Sequence, residues 1–267
     1  MPLQYSALES TRFNLRILRG SFTKLEPYDL LRTIVEERAD VAILRIPTSQ
    51  QHQLSKLSLL PFPIIVADTL VSFDGDLREY PAAPLRNTRL EVKRGTMEDV
   101  AVLAELVDLS FKDYRTHYNS NPLFDPELVL AGYKEWAMSA LEPGDKRVCF
   151  LFYLDGQAVA YATNEVHETY GEGIIFGARP NIPAKNLYVD LLNYTKQYMQ
   201  DQGLRRVRAT TQVQNHGVQR AWARMGLFPA RSYITVHINA LLQQRLIADG
   251  LSDVVVEPQG TSLQTAV

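Results

Sequence analysis

Between residues 97 and 112 the apolar positions Val102, Leu103, Leu106, Val107 and Phe111 recur at the three- and four-residue intervals of one helix face. Thr96 ahead of Glu98 and Asp99 marks the start, because a hydroxyl accepts from a free first-turn amide and acids suit the positive end of a helix. Asp125-Pro126-Glu127 is a second start signal and predicts a helix to about Leu141. Asp155-Gly156 predicts a hairpin turn between the strands Val148–Leu154 and Ala158–Val166. Gly171 to Gly173 punctuates the chain before Ile174-Ile175-Phe176, so three consecutive antiparallel strands are expected. A helix carrying Leu187, Leu191, Leu192 and Met199 then runs to about Gln202 and stops at Gly203. Strand Arg206–Val213, helix Val218–Met225 and strand Ser232–Ile238 complete this part.

Nearer the amino terminus the pattern predicts a strand over Phe13–Arg19, a helix over Pro27–Arg38, and strands over Val41–Arg45 and Ile64–Phe73. Residues 76–87 hold Pro81, Ala82, Ala83 and Pro84 between charged residues and are the expected boundary. The expected organisation is a small α/β module over residues 1–80 and a larger domain over 88–240, with the module leaning on its neighbour. The tail 251–267 is polar and aperiodic and is expected to be disordered.

Hydrophobic residues make up 46% and charged residues 22% of the 267, an ordinary globular composition, and 28 basic residues against 30 acidic ones leave no basic field. Nucleic acid and membrane are therefore poor partners. No signal-peptide pattern or membrane-length apolar run is present, so the cytoplasm is the expected location. Cys149, the single cysteine, lies in the apolar run Val148 to Phe152 and reads as a small hydrophobe. No metal is expected, and a homodimer is left open.

Thr210-Thr211-Gln212-Val213-Gln214-Asn215, running into Val218 to Trp222 and Gly226-Leu227, resembles the last conserved segment of the GNAT-type N-acyltransferases. The order strand, two helices, three antiparallel strands, helix, strand, helix, strand is similar to that fold. The resemblance implies a mixed, mostly antiparallel α/β (α+β) sheet flanked by helices, and acetyl-CoA as co-substrate. Ala178-Arg179-Pro180 stands where the family's fourth strand ends, but Pro183-Ala184-Lys185-Asn186-Leu187-Tyr188 lacks every glycine of the family's pyrophosphate turn. The implied donor-binding residues are Gly177, Ala178, Pro180, Ala184, Lys185, Asn186, Asn215 and Trp222. Trp222 replaces the tyrosine that protonates the departing thiolate in the family; an indole N–H donates a hydrogen bond but is no acid near neutral pH. It either serves the thioester or packs the short helix onto the sheet.

A narrower resemblance, to the bacterial TDP-fucosamine acetyltransferases and their relatives, covers almost the whole chain. Ser10 to Ile17, Ala42 to Pro47, Asp68 to Phe73, Phe111 to Trp136, and Ala209 to Asn215 with His237 carry it. It implies N-acetylation of an amino group on a nucleotide-linked sugar. Glu165 and His167 are the nearest base candidates by topology and, if both lie on one strand, share a face; they are equally readable as solvated hairpin residues. Arg115 could pair with phosphate while Tyr114 or Tyr118 stacks on a base or sugar, or the loop is structural. Two other readings remain: a GNAT-fold binding protein without catalysis, and an acyltransferase whose donor is an acyl carrier protein.

Overall fold

A computed structural model describes residues 3–182 and 186–242. Ala184, Lys185 and the tail 251–267 lie outside these described residues.

In chain order the elements are β1 (Gln4–Tyr5), α1 (Ala7–Phe13), β2 (Ile17–Ser21), α2 (Pro27–Glu36), β3 (Val41–Pro47), a 3-10 helix (Thr48–Leu59) and β4 (Ile64–Asp76). Then follow β5 (Leu90–Arg94), α3 (Val100–Phe111), a 3-10 turn (His117–Ser120), α4 (Pro126–Met138), β6 (Arg147–Leu154), β7 (Gln157–Val166) and β8 (Tyr170–Ala178). The chain continues through α5 (Leu187–Asp201), β9 (Arg206–Gln212), α6 (His216–Arg224) and β10 (Phe228–Asn239). The start signals behave as their chemistry dictates. Asp125 accepts the Glu127 amide at 2.8 Å with Pro126 behind it, and Asp99 reaches back to the Thr96 amide at 2.9 Å.

All the strands join one ten-stranded sheet in the order β1-β2-β3-β10-β4-β9-β8-β7-β6-β5. Only β2 with β3 and β8 with β9 run parallel. The sheet is therefore mixed and mostly antiparallel, flanked by helices. β10 lies antiparallel between β3 and β4, and β4 lies antiparallel between β10 and β9. The run β2-α2-β3-(48–59)-β4 thus repeats the path of β8-α5-β9-α6-β10, each half lending its last strand to the other. No residue-level repeat accompanies this shared path.

One side of the sheet packs on α2, the 3-10 helix 48–59, α5 and α6 through clusters that include Leu30, Ile34, Leu44 and Val236, and Phe73, Leu192, Met199 and Trp222. On the other side α1, α3 and α4 cover Ile17, Ile43, Leu151 and Tyr161. Cys149 is fully buried among these residues, and burial pushes its thiol up to about 12, so it stays a protonated hydrophobe.

Two sequence expectations about the elements need correction. The predicted strand over Phe13–Arg19 begins only at Ile17, because Ala7–Phe13 is a helix that Asn14 ends in the left-handed region with φ 50°. Gly171 and Gly173 lie inside β8 and do not break it; a side chain at 171 would collide with Met199 of α5, so the glycine serves close packing. The 3-10 helix 48–59 went unforeseen. The Pro-rich connection 77–89 is stitched to α5: the buried Asp190 carboxylate accepts the amides of Arg86 at 2.6 Å and Asn87 at 3.1 Å, and Asn193 accepts that of Ala83 at 3.1 Å.

Asp190→Ala removes two charge-assisted bonds and leaves the amides of Arg86 and Asn87 without their acceptor. A loss of about 3 kcal/mol in urea unfolding is expected; an unchanged midpoint would show that the connection is not held this way.

Candidate functional site

β8 and β9 pair only from Tyr170 with Arg206 to Gly173 with Ala209, and beyond that they diverge. A cavity of about 1040 Å³ opens through the gap. It is lined on the α5/α6 side by Tyr188, Val218 and Trp222 and on the other by Ser110, Tyr114 and Tyr133, and it extends under α1 to Arg45 and Asp68.

Strand alternation decides which amides face the gap. Arg179 donates its N–H to Val159 and Ile175 donates to the Thr163 hydroxyl, so the odd-numbered amides of β8 turn toward β7. The N–H groups of Phe176 and Ala178 therefore point at the gap, and that of Gly177 does not. Gly177 matters through its missing side chain: a Cβ there would collide with Ser110 Oγ and the Tyr161 ring.

Of the expected donor residues, Gly177, Ala178, Asn215 and Trp222 line the cavity, whereas Pro180 and Asn186 do not. Asn215 donates to Thr211 Oγ1 at 3.1 Å. Asn186 precedes α5 with φ 65° and makes no side-chain cap. Trp222 packs against Phe73 at 5.2 Å, and its buried indole N–H has no hydrogen-bond partner. The Tyr188 hydroxyl is close enough to feel that N–H, which partly offsets the strong upward push of burial on the phenol.

Glu165 and His167 do not line the cavity. Glu165 is paired with Arg147 at 3.3 Å and Lys146 at 3.8 Å, and β7 ends at Val166, so His167 belongs to the turn and stacks on Tyr170. Among the carboxylates that line it, Glu172 is the one beside the gap, cross-strand neighbour of Glu165 and one residue before β8 and β9 part. Burial raises its pKa, while Arg208 and His167, whose Nε2 is 3.5 Å away, pull it down. The flanking glycines, taken as a break, hid this strand position.

In the loop after α3, Tyr114 donates to Gln212 Oε1 and Tyr118 to Glu9 Oε1, and both rings line the cavity. Glu9 also accepts from Ser6 at 2.6 Å and Arg19 at 2.9 Å, so the Tyr118 hydroxyl is committed. Arg115 is exposed and off the cavity.

The same end holds a histidine pair whose tautomers follow from one amide. Asn121 Oδ1 accepts the Leu123 backbone N–H at 3.1 Å, so its Nδ2 faces His237 Nδ1, also at 3.1 Å. His237 Nδ1 must then accept, its proton sits on Nε2, and that proton is given to His117 Nδ1 at 2.9 Å. His117 is left with its proton on Nε2. Burial depresses both rings, His237 to about 4, so the pair is neutral at physiological pH.

Arg45 and Asp68 are the residues that sequence reasoning passed over as ordinary strand positions. Neither Asp68 oxygen has a hydrogen-bond partner, nor does Arg45 Nε or the Thr235 hydroxyl between them, and all four atoms are buried. Burial raises Asp68, with Thr235 and Arg45 pulling it down. A charge inside an apolar run, as in Val41-Ala42-Ile43-Leu44-Arg45-Ile46, was the available signal.

No family model and no curated protein matches this chain. Solved structures do. A GCN5-related N-acetyltransferase from Kribbella flavida aligns with TM-score 0.57 at 11% identity over 83% of this chain and 81% of its own. A GCN5-related glucosamine N-acetyltransferase region of a fungal multi-domain GH3 beta-N-acetylglucosaminidase aligns with TM-score 0.58 at 12% identity over 88% of this chain and 30% of that one. A GCN5-related N-acetyltransferase from Sphaerobacter thermophilus aligns with TM-score 0.52 at 14% identity over 74% of this chain, which spans 59% of that protein. The chain has the GNAT fold. No helix among the described residues is long and apolar enough to cross a membrane, and no cluster there would hold a metal ion.

An unpartnered buried carboxylate is destabilising, so Asp68→Asn is expected to raise Tm by about 2 to 4 °C at pH 7. Asp68 binds its proton more tightly folded than unfolded. Its contribution is present below the ordinary carboxylate pKa and lost as pH rises through the raised folded value. The difference from wild type should thus shrink on acidification toward pH 4; a variant less stable than wild type at pH 7 would show that Asp68 is a structural anchor.

Proposed function

We propose that the chain is an N-acyltransferase that takes an acetyl group from acetyl-CoA and places it on the amino group of a small molecule, with a nucleotide-linked amino sugar as the acceptor. The observation that carries this reading is the gap between β8 and β9, with the amides of Phe176 and Ala178 aimed into it and Asn215 at its side. These groups suit a thioester carbonyl and an amide-bearing arm: unpaired strand amides donate to carbonyl oxygen, and a carboxamide pairs with another amide. The thioester would supply the acetyl group and leave as a thiol, while the amine nitrogen forms the new amide and gives up one proton. We place this chemistry in the cytoplasm.

Glu172 is the group that accepts the amine's proton. It lines the cavity beside the gap, and burial raises its pKa above the ordinary carboxylate value, which makes it a stronger base, while Arg208 and His167 oppose the shift. Tyr188 donates a hydrogen bond to the departing sulfur in place of the tyrosine that Trp222 replaces, and the thiolate takes its proton from solvent. Its phenol, pushed up by burial, stays protonated through neutral pH and sits at the cavity wall beside the indole. The amides of Asn186, Leu187 and Tyr188 begin α5, where a helix offers free N–H groups to a phosphate. The acceptor assignment draws support from the cavity volume and from a fungal region of similar fold described as a glucosamine N-acetyltransferase.

Calorimetric titration with acetyl-CoA should give micromolar binding, weakened in Asn215→Ala. No heat at millimolar acetyl-CoA, with binding of acetyl-phosphopantetheine on a carrier protein instead, would move the donor to the carrier.

Glu172→Gln should lower kcat by about 100-fold or more and abolish the acid limb of the pH profile, where activity falls as pH drops through the raised pKa. Tyr188→Phe should slow turnover about tenfold or more without changing acceptor KM. Wild-type kinetics in both variants would remove these assignments.

A further inference from the structure

The strands β2, β3, β10 and β4 alternate between two chemistries. Leu18, Ala42, Leu44, Ile46, Ile234 and Val236 face α2 and the 3-10 helix 48–59. The opposite side begins with the apolar Ile17, Val41 and Ile43 under α1 and α4 and then carries Arg19, Arg45, Thr235, His237 and Asp68, although a sheet side covered by helices is ordinarily apolar throughout. Register lines part of this set into a row. Arg45 pairs with Thr235, and Thr235 pairs with Asp68.

Two strand spacings put the backbones of Arg45 and Asp68 roughly 10 Å apart. No salt bridge joins their side chains, and the Thr235 hydroxyl between them is equally without a partner. Neighbouring charges are already satisfied, since Arg19 is held by Glu9. The histidine pair below contributes no charge. A buried Nε of a guanidinium and two buried carboxylate oxygens left unsatisfied on either side of Thr235 are each costly, and such groups are kept where a ligand completes them. Both line the cavity that reaches the β8/β9 gap.

We infer that the row Arg45, Thr235 and Asp68 is the recognition subsite for the acceptor, and that the acceptor bears an acidic group, phosphate or carboxylate, for Arg45 and a hydroxyl or ammonium donor for Asp68. This rests on the acyl-transfer reading only for the word acceptor; the ligand chemistry comes from the row. It places the anion contact at Arg45, in the amino-terminal half, and not at the exposed Arg115. A planar guanidinium takes an oxyanion by two parallel N–H bonds, and Thr235 Oγ1 is placed to give a further one. Asp68 would take the hydroxyl or ammonium protons that its free oxygens lack.

The test uses the full chain without acetyl-CoA and three matched amines: glucosamine, glucosamine 6-phosphate and muramic acid, a glucosamine bearing a carboxylate. Binding is read by calorimetry in wild type, Arg45→Gln and Arg45→Lys, with Tm confirming that each is folded. At least tenfold tighter binding of one acidic amine over glucosamine, lost in Arg45→Gln and partly restored in Arg45→Lys, is the expected result; which acid wins identifies the anion. Asp68→Asn should weaken the same ligand about tenfold while remaining folded. Equal or absent binding across the three amines, or affinities that Arg45→Gln leaves unchanged, overturns the inference. Because no donor is present, failure of acetyl-CoA to bind would count against the acyltransferase reading alone.

Discussion

The exchange of β4 and β10 between the two halves of the chain is the constraint from which the rest of the structure follows. A strand interior to a sheet has both edges hydrogen-bonded, and β4 is bonded to β10 on one edge and β9 on the other, just as β10 is bonded to β3 and β4. Separating the amino-terminal strands from the remainder would break three ladders of backbone hydrogen bonds, β3 with β10, β10 with β4 and β4 with β9. The two halves therefore hold one continuous sheet. The stitching of residues 82–87 to Asn193, Asp190 and Gln200 fixes the connection between them in the same sense.

That continuity positions the cavity. The parting of β8 and β9 is a local event, but the floor beyond it is made by β9, β4, β10 and β3, so residues remote in sequence reach one space. Tyr114 bridges the two regions: its hydroxyl is bonded to Gln212 of β9, its phenol is raised chiefly by burial with a small further push from Asp68, and both Tyr114 and Asp68 line the cavity. The polar side of the amino-terminal strands is thus joined to the gap, and alternation lets the same strands pack an apolar core on one side and line the cavity on the other.

Much of the fold was legible in the sequence because its signals are local. The Thr96 and Asp125 caps, the Asp155-Gly156 turn and the apolar spacing of α3 and α5 each depend on a few neighbouring residues. Less legible was anything set by partners far along the chain. Gly171 and Gly173 look like a break, yet Met199 packs where a side chain at 171 would stand and the strand runs on through Glu172 opposite Glu165. Phe13 looks like the start of a strand until the left-handed Asn14 closes a helix before it. Arg45 and Asp68 were hidden for the same reason, since only the cross-strand register through Thr235 brings them together.

A crystal structure of the chain with acetyl-CoA tests the central claim, that the β8/β9 gap is the donor cleft and opens onto the amino-terminal polar face. The thioester oxygen should lie within hydrogen-bond distance of the Phe176 or Ala178 amide, with the arm passing Asn215 and the acetyl group directed toward Tyr114 and Asp68. A coenzyme bound elsewhere, or an acetyl group sealed from that face, would contradict it.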